Sequence, residues 1–235
     1  GSDLVADTSF DVNVTSTDAA GNTVTSSETS THTVDTTADA GTVTVDPIAG
    51  DDVINASEAG EATVTVSGSA TGGDVEAGDT VTVSVNGNEY TTTVGADGSY
   101  EVEVNTADVM ADGTVDVSVV STDDSGNTVT SSTTANEVSV DTTADAGTVS
   151  TNPITEDDVI SASEAGETIT VTGSATGGDI AAGDTVTMEI NGTEYTTTVE
   201  ADGSYSVDVA GSDLVADTSF DVNVTSTDAA GNTVT

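Results

Sequence analysis

Val140-Asp141-Thr142-Thr143-Ala144-Asp145-Ala146-Gly147-Thr148-Val149 is a short acidic connector that also occurs as Val34-Asp35-Thr36-Thr37-Ala38-Asp39-Ala40-Gly41-Thr42-Val43. Each copy follows a run of alternating Val, Ser and Thr and precedes another such run. The copies lie 106 residues apart, about one domain length. The stretch therefore reads as a joint between tandem β-modules, and its two Asp residues have no cationic side chain to pair with.

The rest of the chain repeats with the joint. Residues 1–25 are identical to residues 211–235. A third version runs from Asn105 to Thr130, where Asp108, Asp112, Asp116, Asp123, Gly126 and Asn127 match Asp3, Asp7, Asp11, Asp18, Gly21 and Asn22. Asp46-Pro47-Ile48 recurs as Asn152-Pro153-Ile154. Self-similarity at one period is the mark of a repeat array. Cutting at the joint makes 1–38 the C-terminal part of an immunoglobulin-like repeat, 39–144 a complete repeat, and 145–235 a repeat lacking its final strand. That missing strand corresponds to Ser26–Thr37, so a neighbouring molecule is expected to donate it head to tail, giving open strings.

Within the complete repeat, period-two alternation predicts strands over 42–46, 62–68, 80–85, 89–94, 99–104, 114–122 and 128–140, the last bending near Ser131–Thr134. The expected inward residues are Ala62, Val64 and Val66; Val81, Val83 and Val85; Tyr90, Thr92 and Val94; Tyr100, Val102 and Val104; and Val115, Val117 and Val119. Asn86-Gly87 and Ala96-Asp97-Gly98-Ser99 are hairpin turns. No stretch shows a helix period, although Ala56–Gly60 has room for one turn. Seven short strands with turns every 8–12 residues predict an all-β fold, tandem immunoglobulin-like Greek-key sandwiches joined end to end.

Charge narrows the function. The chain has 43 Asp and Glu, one His and no Lys or Arg. Nothing here neutralises phosphates, so nucleic acid is excluded, and direct contact with an anionic membrane is disfavoured. Val and Thr are too abundant for a disordered polyacid. With no Cys, stability falls to small cores and bound ions. No activated-nucleophile constellation can be assembled without Lys, Cys or a second His, and His32 is expected to face solvent. Paired acids such as Asp51 and Asp52 lack the aromatic platform of a glycosidase. The chain is read as no enzyme.

Strand parity sorts the acids into two poles. The entry pole of the complete repeat holds Asp35, Asp39, Asp74, Glu76, Asp79, Asp97, Asp123 and Asn127. The exit pole holds Asp46, Asp51, Asp52, Asn55, Glu58 and Glu61, then Asp108, Asp112, Asp141 and Asp145. The second joint adds Asp179, Asp184, Asp202 and Asp228. Carboxylates gathered this way repel, and a hard divalent cation with oxygen ligands offsets that cost. The candidate calcium ligands are thus Asp35, Asp39, Asp74, Asp97 and Asp123 at the first joint. At the second they are Asp141, Asp145, Asp179, Asp202 and Asp228. A weaker exit-pole set is Asp46, Asp51, Asp52, Glu58, Asp108 and Asp112. Several Ca²⁺ ions per chain are expected. The bland readings stay open: turn capping by Asp97 and Asp123, a solvated linker at Asp141 and Asp145, and helix capping by Asp51-Asp52 with Glu58.

Asp51-Asp52-Val53-Ile54-Asn55-Ala56-Ser57-Glu58-Ala59-Gly60, Ala77-Gly78-Asp79-Thr80-Val81, Ala96-Asp97-Gly98-Ser99-Tyr100 and Ser121-Thr122-Asp123-Asp124-Ser125-Gly126-Asn127 together form a signature. It resembles the bacterial immunoglobulin-like repeats of giant RTX adhesins, the biofilm-forming and ice-binding surface proteins of Gram-negative bacteria. The resemblance covers essentially the whole chain. It implies an extracellular extender, secreted and anchored to the outer membrane through regions not present here, whose neighbouring repeats hold a distal binding domain away from the cell. It also implies that calcium at the joints stiffens the string, with ligands on Asp35/Asp39, Asp141/Asp145 and the facing turns. The competing function is a glycan- or surface-binding module using Tyr90, Tyr100, Tyr195 and Tyr205, although these fall at strand positions and read better as core.

Overall fold

Apolar and polar residues alternate along Thr80–Val85, and Val81, Val83 and Val85 are all buried there. β-Branched side chains suit a pleated, half-buried surface, and this rule builds most of the molecule. The computed structural model describes residues 1–135 and 137–235.

The chain opens with α1 (Ser2–Ala6), β1 (Ser9–Thr17) and β2 (Thr23–Thr31). Among the described residues the two strands pair only with each other, in register Thr17↔Thr23, and every residue of both is exposed. The complete repeat follows, with β3 (Thr42–Val45), β4 (Val53–Ile54), α2 (Ala56–Ala59), β5 (Thr63–Thr71), β6 (Thr80–Val85), β7 (Asn88–Thr93) and β8 (Ser99–Asn105). It continues with α3 (Thr106–Ala111), β9 (Val115–Thr122), β10 (Thr128–Thr134) and β11 (Ser139–Val140). One antiparallel sheet has the order β3-β5-β8 and the other β10-β9-β6-β7. Their inner faces enclose a core that includes Val66, Val81, Val83, Tyr100, Val104, Val115, Val117 and Val119.

The third repeat copies this plan. It comprises β12 (Thr148–Thr151), β13 (Thr168–Thr176), β14 (Thr185–Ile190), β15 (Thr193–Thr198), β16 (Ser204–Ala210), α4 (Gly211–Ala216), β17 (Val222–Thr227) and β18 (Thr233–Val234). The sheets are β12-β13-β16 and β15-β14-β17-β18, around a second core centred on Val171, Met188, Ile190 and Tyr205. The architecture is all-β, tandem immunoglobulin-like sandwiches. The hairpin turns are tight: Asn86 and Gly87 have φ of 50° and 74°, and Asn191 and Gly192 have 52° and 74°. Such a two-residue loop matches the strand twist.

Four expectations change. Ala62 is exposed, because the ladder of β5 with β8 starts one residue later, at Thr63↔Asn105; Val66, Gly68 and Ala70 carry the buried face instead. Helix α3 was not expected. It buries only Thr106 and Val109, too few positions for a helical period to show. The run 128–140 is broken: Ala135 N donates to Val115 O, Val138 N to Gly113 O, and the chain then crosses to pair β11 with β4 in parallel. Position 136 of that predicted strand lies outside the described residues. His32 is partly buried, its Nε2 lying 2.6 Å from Leu4 O and its ring centroid 6.5 Å from that of Phe10.

Candidate functional site: the acidic joints

Each joint is tied by an Asp-x-x-Gly-Asn turn that grips the connector. At the first, Asp123 Oδ1 accepts from Ser125 N and Asn127 N at 2.9 and 2.7 Å, and its Oδ2 accepts from Asn127 Nδ2 at 2.7 Å. An Asp side chain that closes its own turn in this way fixes the backbone locally. The same Asn127 Nδ2 reaches across to Asp35 O at 3.3 Å, while Ser125 Oγ donates to Asp35 Oδ2 at 3.0 Å. At the second joint, Asn232 Nδ2 donates to Asp228 Oδ2 at 2.8 Å and to Asp141 O at 2.9 Å. Its Oδ1 accepts from Ala56 N at 2.7 Å, so this buried side chain links the third repeat to two segments of the second.

Further along each connector a reciprocal pair forms. Asp39 N donates to Asp74 Oδ2 at 2.6 Å and Asp74 N returns a bond to Asp39 O at 2.9 Å. Asp145 and Asp179 repeat this at 2.6 and 2.9 Å. The structure thus brings Asp35 to the Asp123 turn, Asp39 to Asp74, Asp141 to the Asp228 turn and Asp145 to Asp179. Asp97 and Asp202 hold their own turns instead, through the N–H and Oγ of Ser99 and Ser204.

The exit-pole acids also have local partners. Asp46 Oδ2 accepts from Ser67 Oγ, Asp51 Oδ1 from Val53 N, Asp52 Oδ1 from Ile48 N and Asp112 Oδ1 from Thr114 N. Glu58 and Asn55 form a reciprocal capping box on α2. Asp108 accepts from Asn86, Asn88 and Tyr90. Tyr195 donates likewise to Asp213, and Tyr100 and Tyr205 donate to the carbonyls of Thr44 and Ser150. All four tyrosine hydroxyls are therefore engaged in bonds within the sandwich.

Oxygen-only donors of this kind suit a hard cation. Among the described residues, however, no three His, Asp or Glu side chains converge as a ready metal site. Calcium would find the ligand chemistry here, with the ligands still to be drawn together. Sequence reasoning put Asn127 at the pole without a role and passed over Asn232. The signal was present, since Asn22, Asn127 and Asn232 share one repeat position.

The turn acids are held below the usual carboxylate range. For Asp18, Asp123 and Asp228 the largest cause is the side-chain bond from Asn22, Asn127 and Asn232; for Asp97 and Asp202 it is the hydroxyl of Ser99 and Ser204. A depressed folded-state pKa contributes stability that is present above the unfolded value and lost as pH falls through the folded one. Thermal melts at stepped pH should therefore show no loss from these turns above pH 3.8, and a progressive fall below it. A loss that begins well above that pH would assign it to other groups.

No family model matches the sequence, and no curated protein does. Solved structures do. A Ca²⁺-stabilised adhesin that helps an Antarctic bacterium reach out and bind ice is 64% identical over 99% of this chain, with TM-score 0.79. This chain spans 56% of that one. A structure concerned with host cell surface retention of a 1.5-MDa bacterial ice-binding adhesin is 53% identical over 99% of this chain and 74% of its own, with TM-score 0.85. The chain is a non-catalytic repeat segment, and it belongs to the family of tandem immunoglobulin-like repeats found in bacterial ice-binding adhesins.

Proposed function

We propose that this segment is an extender of a cell-surface adhesin, lying outside the bacterium and holding a distal binding region away from it. The parent protein is of the giant RTX type, and the partners of each repeat are its neighbours in the array, joined pole to pole or by strand complementation between molecules. The observation that carries the reading is the recurrent joint: Asn127 to Asp35 O, and Asn232 to Asp141 O. A connector held by the next repeat's turn transmits orientation from one sandwich to the next.

Calcium supplies positive charge to these joints. The carboxylates of Asp35 with Asp123, and of Asp141 with Asp228, would share an ion, with nearby carbonyls completing the six to eight oxygens it takes. Binding to the folded state alone raises stability, by about 1.4 kcal/mol per site at free calcium tenfold above Kd. Melting temperature and interdomain distance distribution, measured in calcium and in chelator, test this. Chelation should lower the first and broaden the second. A chain equally stiff and heat-resistant without divalent ions would remove calcium from the account and leave the direct joint bonds to carry it.

A further inference from the structure

Each sandwich carries one Asn-Gly pair, Asn86-Gly87 between β6 and β7 and Asn191-Gly192 between β14 and β15. The chain's other asparagines precede Val, Thr, Ala, Glu or Pro. Both pairs are exposed, and a Cβ built on Gly87 or Gly192 would meet nothing within 4 Å. Glycine has no Cβ to shield its own nitrogen from the side chain before it. In that setting an asparagine can close on the next residue's nitrogen without an enzyme.

The Asn86 amide is held away from that reaction. Its Nδ2 donates to Asp108 Oδ1 at 3.0 Å, and Asn88 Nδ2 donates to Asp108 Oδ2 at 2.9 Å. Asp108 lies on α3, which the buried Val109 anchors in the core. Bonds from Tyr90 first, and then from Asn86, hold the Asp108 carboxyl below its usual range, so it is charged at neutral pH. Asn191 Nδ2 donates to Asp213 Oδ1 at 3.1 Å, from the same place on α4. The register Val85↔Asn88 fixes the backbone of the first pair, with φ of 50° at Asn86. Attack on the Asn86 side chain requires its Cγ to leave the carboxylate and turn toward Gly87 N. An anion beside the pair also opposes loss of the Gly87 amide proton.

We propose that Asn86 and Asn191 are sites of spontaneous deamidation, each restrained by the helix carboxylate that holds its amide. Gly87 N gives its proton to water or hydroxide and bonds to Asn86 Cγ. The Cγ–Nδ2 bond then breaks, and the nitrogen leaves as ammonia. Water opens the resulting cyclic imide. Breaking the ring bond from nitrogen to Cγ gives aspartate; breaking the bond from nitrogen to the main-chain carbonyl carbon gives isoaspartate. Nothing is oxidised or reduced, and water is the co-reactant. Either product sets a second carboxylate against Asp108, so the tie to α3 does not re-form. Isoaspartate also lengthens the main chain within a two-residue turn. In a chain without Lys or Arg no cationic side chain offsets the added charge. Each conversion is therefore a one-way record that the hairpin has opened.

The test is incubation of the 235-residue chain in mildly alkaline buffer, native and in denaturant, followed by Asp-N digestion, peptide masses and methyl labelling with an isoaspartate methyltransferase. Asp-N cuts before aspartate and not before isoaspartate. Residues 79–96 therefore form one peptide around Asn86, cut again only where aspartate has formed. Conversion at Asn86 and Asn191 ahead of every other asparagine is expected, slower in the native chain than in denaturant. Asp108→Ala should raise the native rate at Asn86 about two- to tenfold, the range that one hydrogen bond of ordinary net strength allows. Asn191 in the same molecule should keep its rate, which shows that the variant stays folded. Asp213→Ala should do the reverse. A native chain that keeps both sites intact while the denatured chain converts overturns the proposal, as does conversion led by another asparagine. Rates at the two sites that rise together in both variants, or that stay unchanged in both, overturn the restraint by the carboxylates.

Discussion

Gly68→Ala is expected to destabilise the complete repeat by about 2–3 kcal/mol, a fall in melting temperature on the order of 10–20 °C for a domain of this size. Gly68 sits in β5 between Val45 on one side and Tyr100 on the other. The tyrosine lies across it so that its hydroxyl can donate to Thr44 O at 2.7 Å. A methyl group at this position would overlap the Thr44 carbonyl and come within 2.6 Å of the tyrosine Oη. Either β3 moves away from β5 or the ring is displaced from the core. Burial, with a smaller contribution from Asp46, pushes the Tyr100 hydroxyl up to about 12, so the group stays a neutral donor throughout the useful pH range. Tyr100→Phe provides the comparison, because it removes the bond without crowding and should cost only about 1 kcal/mol. Equal losses in the two variants, measured by denaturant titration, would refute the crowding argument. Gly173 repeats the arrangement under Tyr205 and Ser150, so Gly173→Ala should act the same way on the third repeat.

Asn232→Ala is expected to release the second joint while leaving both sandwiches folded. The side chain makes two bonds to main-chain groups of the preceding repeat, Asp141 O and Ala56 N. Removing it loses both and strands their partners, a cost of about 2–4 kcal/mol in contact between repeats. Spin labels on the two repeats should report a broadened distance distribution, with the melting of the central repeat unchanged. An unaltered distribution would show that the connector is held by something else. Asn127→Ala tests the first joint, where the equivalent bond to Asp35 O is longer, 3.3 Å, and the expected loosening is smaller.

The sandwich was legible because Val and Thr alternate so regularly, and the strands β6, β8 and β9 fall within a residue of their expected positions. The breaks in regularity were harder. Helix α3 leaves a mark of only two buried side chains, Thr106 and Val109. The parallel pairing of β11 with β4 joins segments 86 residues apart through two residues each, and no local pattern announces a partner at that distance. At the joints, counting carboxylates drew attention to these loops but not to the bonds within them. Asp35, Asp123, Asp141 and Asp228 are met by amide side chains and backbone N–H groups. Charge alone, in a chain without Lys or Arg, does not announce those neutral donors.

The short parallel pair β4–β11 bears on how a repeat responds to tension. Pulling the chain from both ends drags β11 along its own axis past β4, which points the same way and is held back through β3. The bonds from Ser139 N to Asp52 O and from Asp141 N to Ile54 O would then be sheared together rather than peeled apart in turn. The last strand to be laid down thus acts as a mechanical clamp across the end of the sandwich.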